Sequence, residues 1–266
     1  MGISDFGEMT RLSEMVQPTI CVLTIIGECH LENLGDRDGV LKAKTEMFKN
    51  ACENADFILN GDDDKLSTVK TVNGKKPVFF GLDAKNDFYA KNIKNSGDGK
   101  VLATLCFDNN NIDVEIPAIG TYMVTNALAA AAAGKLLGLT DEEIANGVAS
   151  YKTVGSRANV INTGKIKIID DCYNANPTSV RASLDTLSNL DGRKVAILGD
   201  MKELGSEELK LHFDTGVYAK SKDIGTVITV GELAKELAKG ADGKAFDTIE
   251  DAKSEILTTI KSGCAC

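Results

Sequence analysis

Three apolar runs along the chain end in the same way. Residues 19–26 lead into Gly27-Glu28-Cys29-His30, residues 166–169 into Asp170-Asp171, and residues 195–198 into Gly199-Asp200. Short β-branched runs bounded by turn residues predict strands buried on both faces, as in a parallel sheet. Polar groups at the carboxyl ends of such strands are where open α/β sheets place ligands. Between the runs, apolar positions recur at helical spacing: Val180, Leu184 and Leu187, then Ile249, Ala252, Ile256, Leu257 and Ile260. The Ala-rich stretch 127–133 predicts a closely packed helix. Strand–helix alternation over 1–60 and 117–262 therefore gives an α/β fold. Residues 64–116 break the pattern. They are polar, with turns at Asn73-Gly74 and Asn109-Asn110-Asn111, and predict β-hairpins inserted in the first domain. A helix ending around Tyr151 and a fresh strand pair at 158–162 and 165–170 place a boundary near Arg157, giving domains 1–157 and 158–266.

Composition narrows the class. The 266 residues suffice for two ordinary domains, and 43% hydrophobic with 26% charged residues is a globular balance. No apolar run approaches the roughly 20 residues of a membrane span, and Met1-Gly2-Ile3-Ser4-Asp5 lacks the basic and apolar regions of a secretion leader. Seven scattered cysteines without metal-ligand spacing fit a reducing, cytoplasmic compartment. Cys264-Ala265-Cys266 offers at most two thiolates and reads as a fraying tail. A net charge of −9 argues against a nucleic-acid partner but leaves a nucleotide substrate open.

Several residues carry possible chemistry. Val40, Met47, Phe48 and Ala51 share one face of a helix starting near Gly39, and Lys44 points along it. Burial there would lower the amine's pKa and make it reactive, whereas a snorkelling lysine would reach past the core edge. His30 follows a strand end, where it would ligate a metal, contact phosphate, or simply cap the next helix. Asp170, Asp171 and Asn174 lie in Asp170-Asp171-Cys172-Tyr173-Asn174-Ala175-Asn176-Pro177. Asn176 and Pro177 suit the N-cap and first turn of a helix. The acids are placed either to accept ribose hydroxyls or to face solvent. Arg157 is suited to a phosphate or to a surface ion pair, and His212 to packing in a core. No G-x-x-x-x-G-K-[ST] or G-x-G-x-x-G string occurs.

Taken in order, six stretches resemble the Mur ligase family. They are the N-terminal Met1-Gly2-Ile3-Ser4-Asp5-Phe6-Gly7-Glu8, residues 27–35, Leu41-Lys42-Ala43-Lys44-Thr45-Glu46-Met47-Phe48, Asn126-Ala127-Leu128-Ala129-Ala130, residues 170–177, and Leu198-Gly199-Asp200-Met201-Lys202-Glu203-Leu204-Gly205. The last two strings resemble the branch that joins D-alanyl-D-alanine to UDP-N-acetylmuramoyl-tripeptide, rather than another Mur ligase or a folylpolyglutamate synthase. The resemblance implies part of a central ATPase-type α/β domain followed by a Rossmann-like C-terminal domain. It also implies an ATP- and magnesium-dependent, monomeric ligase of peptidoglycan precursor synthesis that works through an acyl phosphate. Lys44 would match the lysine that becomes a carbamate ligand to magnesium, and His30 a histidine that helps hold the metal. Asn126 would lie near adenine, Arg157 at phosphate and Asp171 at ribose, with Tyr173 and Asn174 in the same nucleotide loop.

Departures from the family accompany the resemblance. A UDP-binding domain and a phosphate-gripping P-loop, which begin full-length members, are not found. The family's Glu-Met-Gly is represented from Met1 onward, without its glutamate, and Tyr122 stands where a histidine is usual. Ser262-Gly263-Cys264-Ala265-Cys266 stands where a Lys-Gly-Ser motif would follow. A fragment inactive as a ligase is therefore expected, the alternative being a non-catalytic module that binds nucleotide or dipeptide.

Overall fold

The computed structural model describes residues 2–96 and 99–260 and the backbone of Cys264–Ala265; Met1, residues 97–98 and 261–263, and Cys266 lie outside the described residues. The chain divides into two compact units, Met1–Lys152 and Thr153–Cys266, so Arg157 stands near the start of the second unit.

In the first unit, α1 (Glu8–Val16) precedes β1 (Ile20–Leu23), α2 (Leu31–Leu34), α3 (Arg37–Thr45), β2 (Asp56–Asn60) and β3 (Val78–Phe80). The three strands form a parallel sheet in the order β1-β2-β3, with Ile20 opposite Asp56 and Ile58 opposite Val78. The apolar run at 19–26 is thus only half strand; its last three residues leave the sheet. Next come β4 (Tyr89–Asn95), β5 (Val101–Phe107) and β6 (Asn110–Ile116), an antiparallel meander, followed by α4 (Tyr122–Leu136) and α5 (Asp141–Ala149). The stretch expected to hold only hairpins therefore also supplies a parallel strand, β3. Turn chemistry explains the hairpin tips. Asn73-Gly74, both at positive φ, lets Val72 and Lys75 exchange backbone bonds of 2.9 Å, and Asp108-Asn109 does the same between β5 and β6.

Two apolar clusters hold this unit. One joins Ile58 and Phe80 to Leu105, Phe107 and the Val124, Leu128 and Ala131 face of α4. The other gathers Ile26, Leu34, Val40, Met47, Phe48, Phe57 and Leu66 around β1 and α3. Each such side chain contributes about 2 kcal/mol on burial.

The second unit contains β7 (Asn159–Asn162), β8 (Lys167–Asp170), α6 (Pro177–Ser188), β9 (Arg193–Gly199), α7 (Glu208–Ser221), β10 (Thr226–Val230), α8 (Ala234–Ala241), β11 (Lys244–Phe246), α9 (Ile249–Thr259) and β12 (Cys264–Ala265). Its sheet runs β11-β10-β9-β12-β8-β7 and is parallel except for β7 against β8. Cys264–Ala265 is not a fraying tail: it fills the slot between β8 and β9, pairing with Lys167 on one side and with Arg193 and Lys194 on the other. Two residues carry no periodicity, so a pattern search passes over such a strand.

Elsewhere local chemistry acts as its residues suggest. Asn176 and Ser179 form a reciprocal capping box at the start of α6, with Pro177 in the first turn. His212 is fully buried; its Nε2 accepts the Met201 amide at 2.9 Å and its Nδ1 lies 2.7 Å from the Glu208 carbonyl, to which the Nδ1–H tautomer donates. It fastens the loop after β9 to α7. Helices α7 and α8 meet through glycines: a Cβ on Gly216 would sit 2.0 Å from the Leu237 carbonyl oxygen, and one on Gly240 2.2 Å from that of Phe213.

Candidate functional site

The loop leaving β1 is built from substituted hydrogen bonds. Where the strand ladder stops at Leu23, side chains take over its polar groups. Asn60 Nδ2 donates to the Thr24 carbonyl at 2.9 Å, the Ile26 amide donates to Asp63 Oδ2 at 2.9 Å, and Arg37 Nε donates to the Ile26 carbonyl at 2.8 Å. Between them, the Ile25 carbonyl accepts Lys44 Nζ at 3.0 Å.

Lys44 reaches this carbonyl from α3. Asp36 caps that helix by accepting the Gly39 amide, and Val40 and Ala43 press its apolar face into the core. The α-helix ends at Thr45 and tightens into a 3₁₀ turn over Glu46–Asn50, which still buries Met47 and Phe48. Lys44 is half-buried on this face. Its stem lies along the core edge, and its ammonium meets the Ile25 carbonyl in a solvent-exposed hydrogen bond.

His30 occupies the N-cap of α2 in the left-handed region, at φ 55°. Its carbonyl accepts the Asn33 and Leu34 amides at 3.2 and 3.0 Å, so the backbone performs the capping role. His30 and Lys44 line a single cavity of about 340 Å³ together with Cys21, Ile25, Cys29 and Met47. Burial pushes the Cys21 thiol up to about 11, with neighbouring Cys52 adding to the shift, so Cys21 offers no thiolate nucleophile. Glu8 accepts the Ser4 and Asp5 amides at 2.7 and 3.1 Å, and these bonds hold its carboxyl below the usual glutamate value, with Arg11 and His30 adding to the effect.

Magnesium is an oxygen-seeking cation. Among the described residues no three His, Cys, Asp or Glu side chains form a group able to hold a metal ion. One imidazole and one ammonium do not fit magnesium, and the side chains as they stand do not make its site.

A second cluster lies in the second unit. Asp171, after β8, receives the Ala158 amide on Oδ1 at 3.0 Å and the Ser183 hydroxyl on Oδ2. The Tyr173 amide donates to the Ser156 carbonyl at 3.1 Å, and the Arg157 guanidinium lies 3.9 Å from the centre of the Tyr173 ring, a cation–π stack. Tyr173 is 67% exposed. Arg157, Asp171 and Tyr173 thus form one cluster. Asn174 is exposed and turns its side-chain oxygen onto the Ala175 amide at 2.9 Å. Asn126 stands on the exposed side of α4, its amide nitrogen 3.6 Å from Met123 Sδ.

Residues 1–134 match the Mur ligase middle domain, and residues 156–264 the domain described as Mur ligase, glutamate ligase domain. The chain belongs to the Mur ligase family. Over 244 residues, 91% of this chain, it is 34% identical to the UDP-N-acetylmuramoyl-tripeptide–D-alanyl-D-alanine ligase of Bacillus subtilis, of which it spans 52%. MurF from Acinetobacter baumannii superposes with a TM-score of 0.93 at 29% identity, covering 100% of this chain and 59% of that one. MurF from Thermotoga maritima, solved in complex with ADP, gives 0.87 at 25% identity, covering 98% and 60%. The chain spans little more than half the length of these relatives. No described helix is long and apolar enough to cross a membrane.

In this Mur ligase chain the sequence reading missed Asp63, Arg37 and Glu8. Asp63 is the middle acid of Asp62-Asp63-Asp64, and the triplet reads as solvated charge. The available signal was its place, just past the carboxyl end of an apolar strand.

Proposed function

We propose that this chain forms part of an ATP-dependent ligase that joins D-alanyl-D-alanine to UDP-N-acetylmuramoyl-tripeptide in peptidoglycan precursor synthesis. The observation that carries the reading is the 34% identity, over 91% of the chain, to a relative named for that reaction. In the reaction, the γ-phosphoryl group of ATP passes to the terminal carboxylate of the tripeptide and leaves ADP. The free amine of D-alanyl-D-alanine attacks the acyl carbon of this acyl phosphate, an amide bond forms, phosphate departs with the bonding pair of the broken C–O bond, and the amine's displaced proton passes to solvent. Positioning and charge neutralisation are what a protein adds to such a transfer.

The residue roles extend the same reading, and the cluster around Asp171 and the cavity beside Lys44 support it. Arg157, held over Tyr173, offers a planar fork to a phosphate. Asp171 keeps lone pairs beyond the two in use and accepts ribose hydroxyls, with Asn174 in the same loop and Asn126 toward adenine. His30 and Lys44 face the cavity in the first unit as the catalytic pair. Lys44 adds carbon dioxide to become a carbamate: its neutral amine forms the N–C bond and the displaced proton goes to solvent. Magnesium, expected from the family, is not held by the described residues as they stand, and no step here is routed through it.

The ADP complex of the Thermotoga maritima protein supports a direct test. Calorimetric titration of the chain with ADP should show binding, and Asp171→Ala should weaken it about tenfold, a loss of about 1.4 kcal/mol. Binding unchanged by Asp171→Ala would overturn the nucleotide assignment. The 266 residues contain no phosphate-cradling G-x-x-x-x-G-K-[ST] string. This polypeptide by itself is accordingly expected to release no phosphate from ATP, and release at the rate of a complete ligase would overturn that statement. The second reading is a non-catalytic nucleotide-binding module, since the described residues include no metal-capable group; retained ADP binding with no carbamate on Lys44 would favour it.

A further inference from the structure

We propose that Asp63 is a positioning residue for Lys44, acting through the Ile25–Ile26 peptide. The proposal rests on the reading of Lys44 as the reactive amine of the cavity. Asp63 is a buried acid with its side chain 4% exposed. Oδ1 is anchored by the Lys65 and Leu66 amides at 3.0 and 2.9 Å, which leaves Oδ2 for the Ile26 amide. Arg37 grips the other side of the same residue through Nε, while its terminal nitrogens pair with Asp64. Asn60 holds the Thr24 carbonyl. The Ile25 carbonyl therefore lies between two fixed peptide groups, and it is the acceptor for Lys44 Nζ. The Ile25 side chain is 43% exposed, so packing does little to orient this peptide; the Asp63–Arg37 clamp does.

A clamp of this kind fixes where a flexible lysine ends. Lysine carries its charge on a four-carbon stem with rotatable donors, so an isolated Lys44 would sample many positions. A carbonyl oxygen set at hydrogen-bond distance selects one of them, at the wall of the cavity that His30 also lines. Pre-organisation moves this ordering from the moment of reaction into folding.

The test is nuclear magnetic resonance of lysine side-chain Nζ groups in the full 266-residue chain, with no substrate or cofactor added. The wild-type chain should give a protected Lys44 signal, assigned by its loss in Lys44→Arg. In Asp63→Asn, Lys44 hydrogen exchange should rise about tenfold, as loss of a hydrogen bond of ordinary strength implies. Amides of β2 and α4 should keep their protection. A Lys44 signal unchanged in Asp63→Asn, or unprotected in the wild type, overturns the proposal. If Asp63→Asn fails to fold, Arg37→Met decides, with about threefold faster exchange expected and no change overturning it. A carbamate signal from Lys44 under ¹³C-bicarbonate tests the underlying reading separately, so the two can fail independently.

Discussion

The loops leaving β1 and β8 follow similar apolar strands and are finished in different ways. After β1, the backbone groups of residues 24–26 are taken by Asn60, Asp63, Arg37 and Lys44, all from other elements. After β8, the loop supplies its own acid: Asp171 reaches out to Ala158 and Ser183, while Tyr173 projects into solvent against Arg157. The first loop is held by a buried residue and presents a fixed amine to a cavity. The second is stitched from its own side and presents an open aromatic–cation face. Two strand ends of one protein can thus hold reactive groups by deep anchoring or by surface stacking, and the two should fail differently when cut.

Asp63→Ala should cut deepest. It leaves the Ile26, Lys65 and Leu66 amides without their acceptor, at a cost of about 3 kcal/mol or more, readable by urea unfolding and by lost exchange protection at Ile26. Asp171→Ala removes two bonds in a part-buried setting and should cost about 1–2 kcal/mol. If it cost as much as Asp63→Ala, the contrast between the loops would disappear. Tyr173→Ala should lower stability by only about 0.5–1 kcal/mol, the value of an exposed cation–π pair, whereas Tyr173→Phe keeps the stacking ring and should leave the melting temperature nearly unchanged. The smallest effect concerns Glu8 at the start of α1. Because the Ser4 and Asp5 amides hold Glu8 below the ordinary 4.5, its contribution is fully present above that pH and fades as pH falls through the lower folded-state value. A side-chain titration of Glu8 with its midpoint at or above 4.5 would remove the carboxylate from this role.

What the sequence made legible divides along similar lines. The runs leading to β1, β8 and β9, the capping box of α6 and the Asn73-Gly74 turn all depend on neighbours within a few residues, so local pattern suffices. The cores of α3 and α6 follow from helical spacing, and the strings 170–177 and 198–205 carried the family. The missed features depend on partners far along the chain. Nothing near Ile25 shows that its carbonyl will face Lys44, and nothing in Asp62-Asp63-Asp64 shows that the middle acid is the buried one. In α9 the apolar spacing was present, yet Ala252 is fully buried while Ile249 and Leu257 stay exposed, because a helix over one sheet edge buries a narrow stripe.

The placement of β12 has a consequence for how the molecule is made. The hairpin β7–β8 and the ribbon β9–β10–β11 are adjacent only through a strand that the ribosome delivers about a hundred residues after β8. Until then the sheet is two separate pieces with facing open edges, and the loop bearing Asp171 and Tyr173 hangs from the smaller piece. Long-range closure of this kind is slow, so the second unit should linger half-zipped during synthesis, with the arrival of its last strand as the event that seals it.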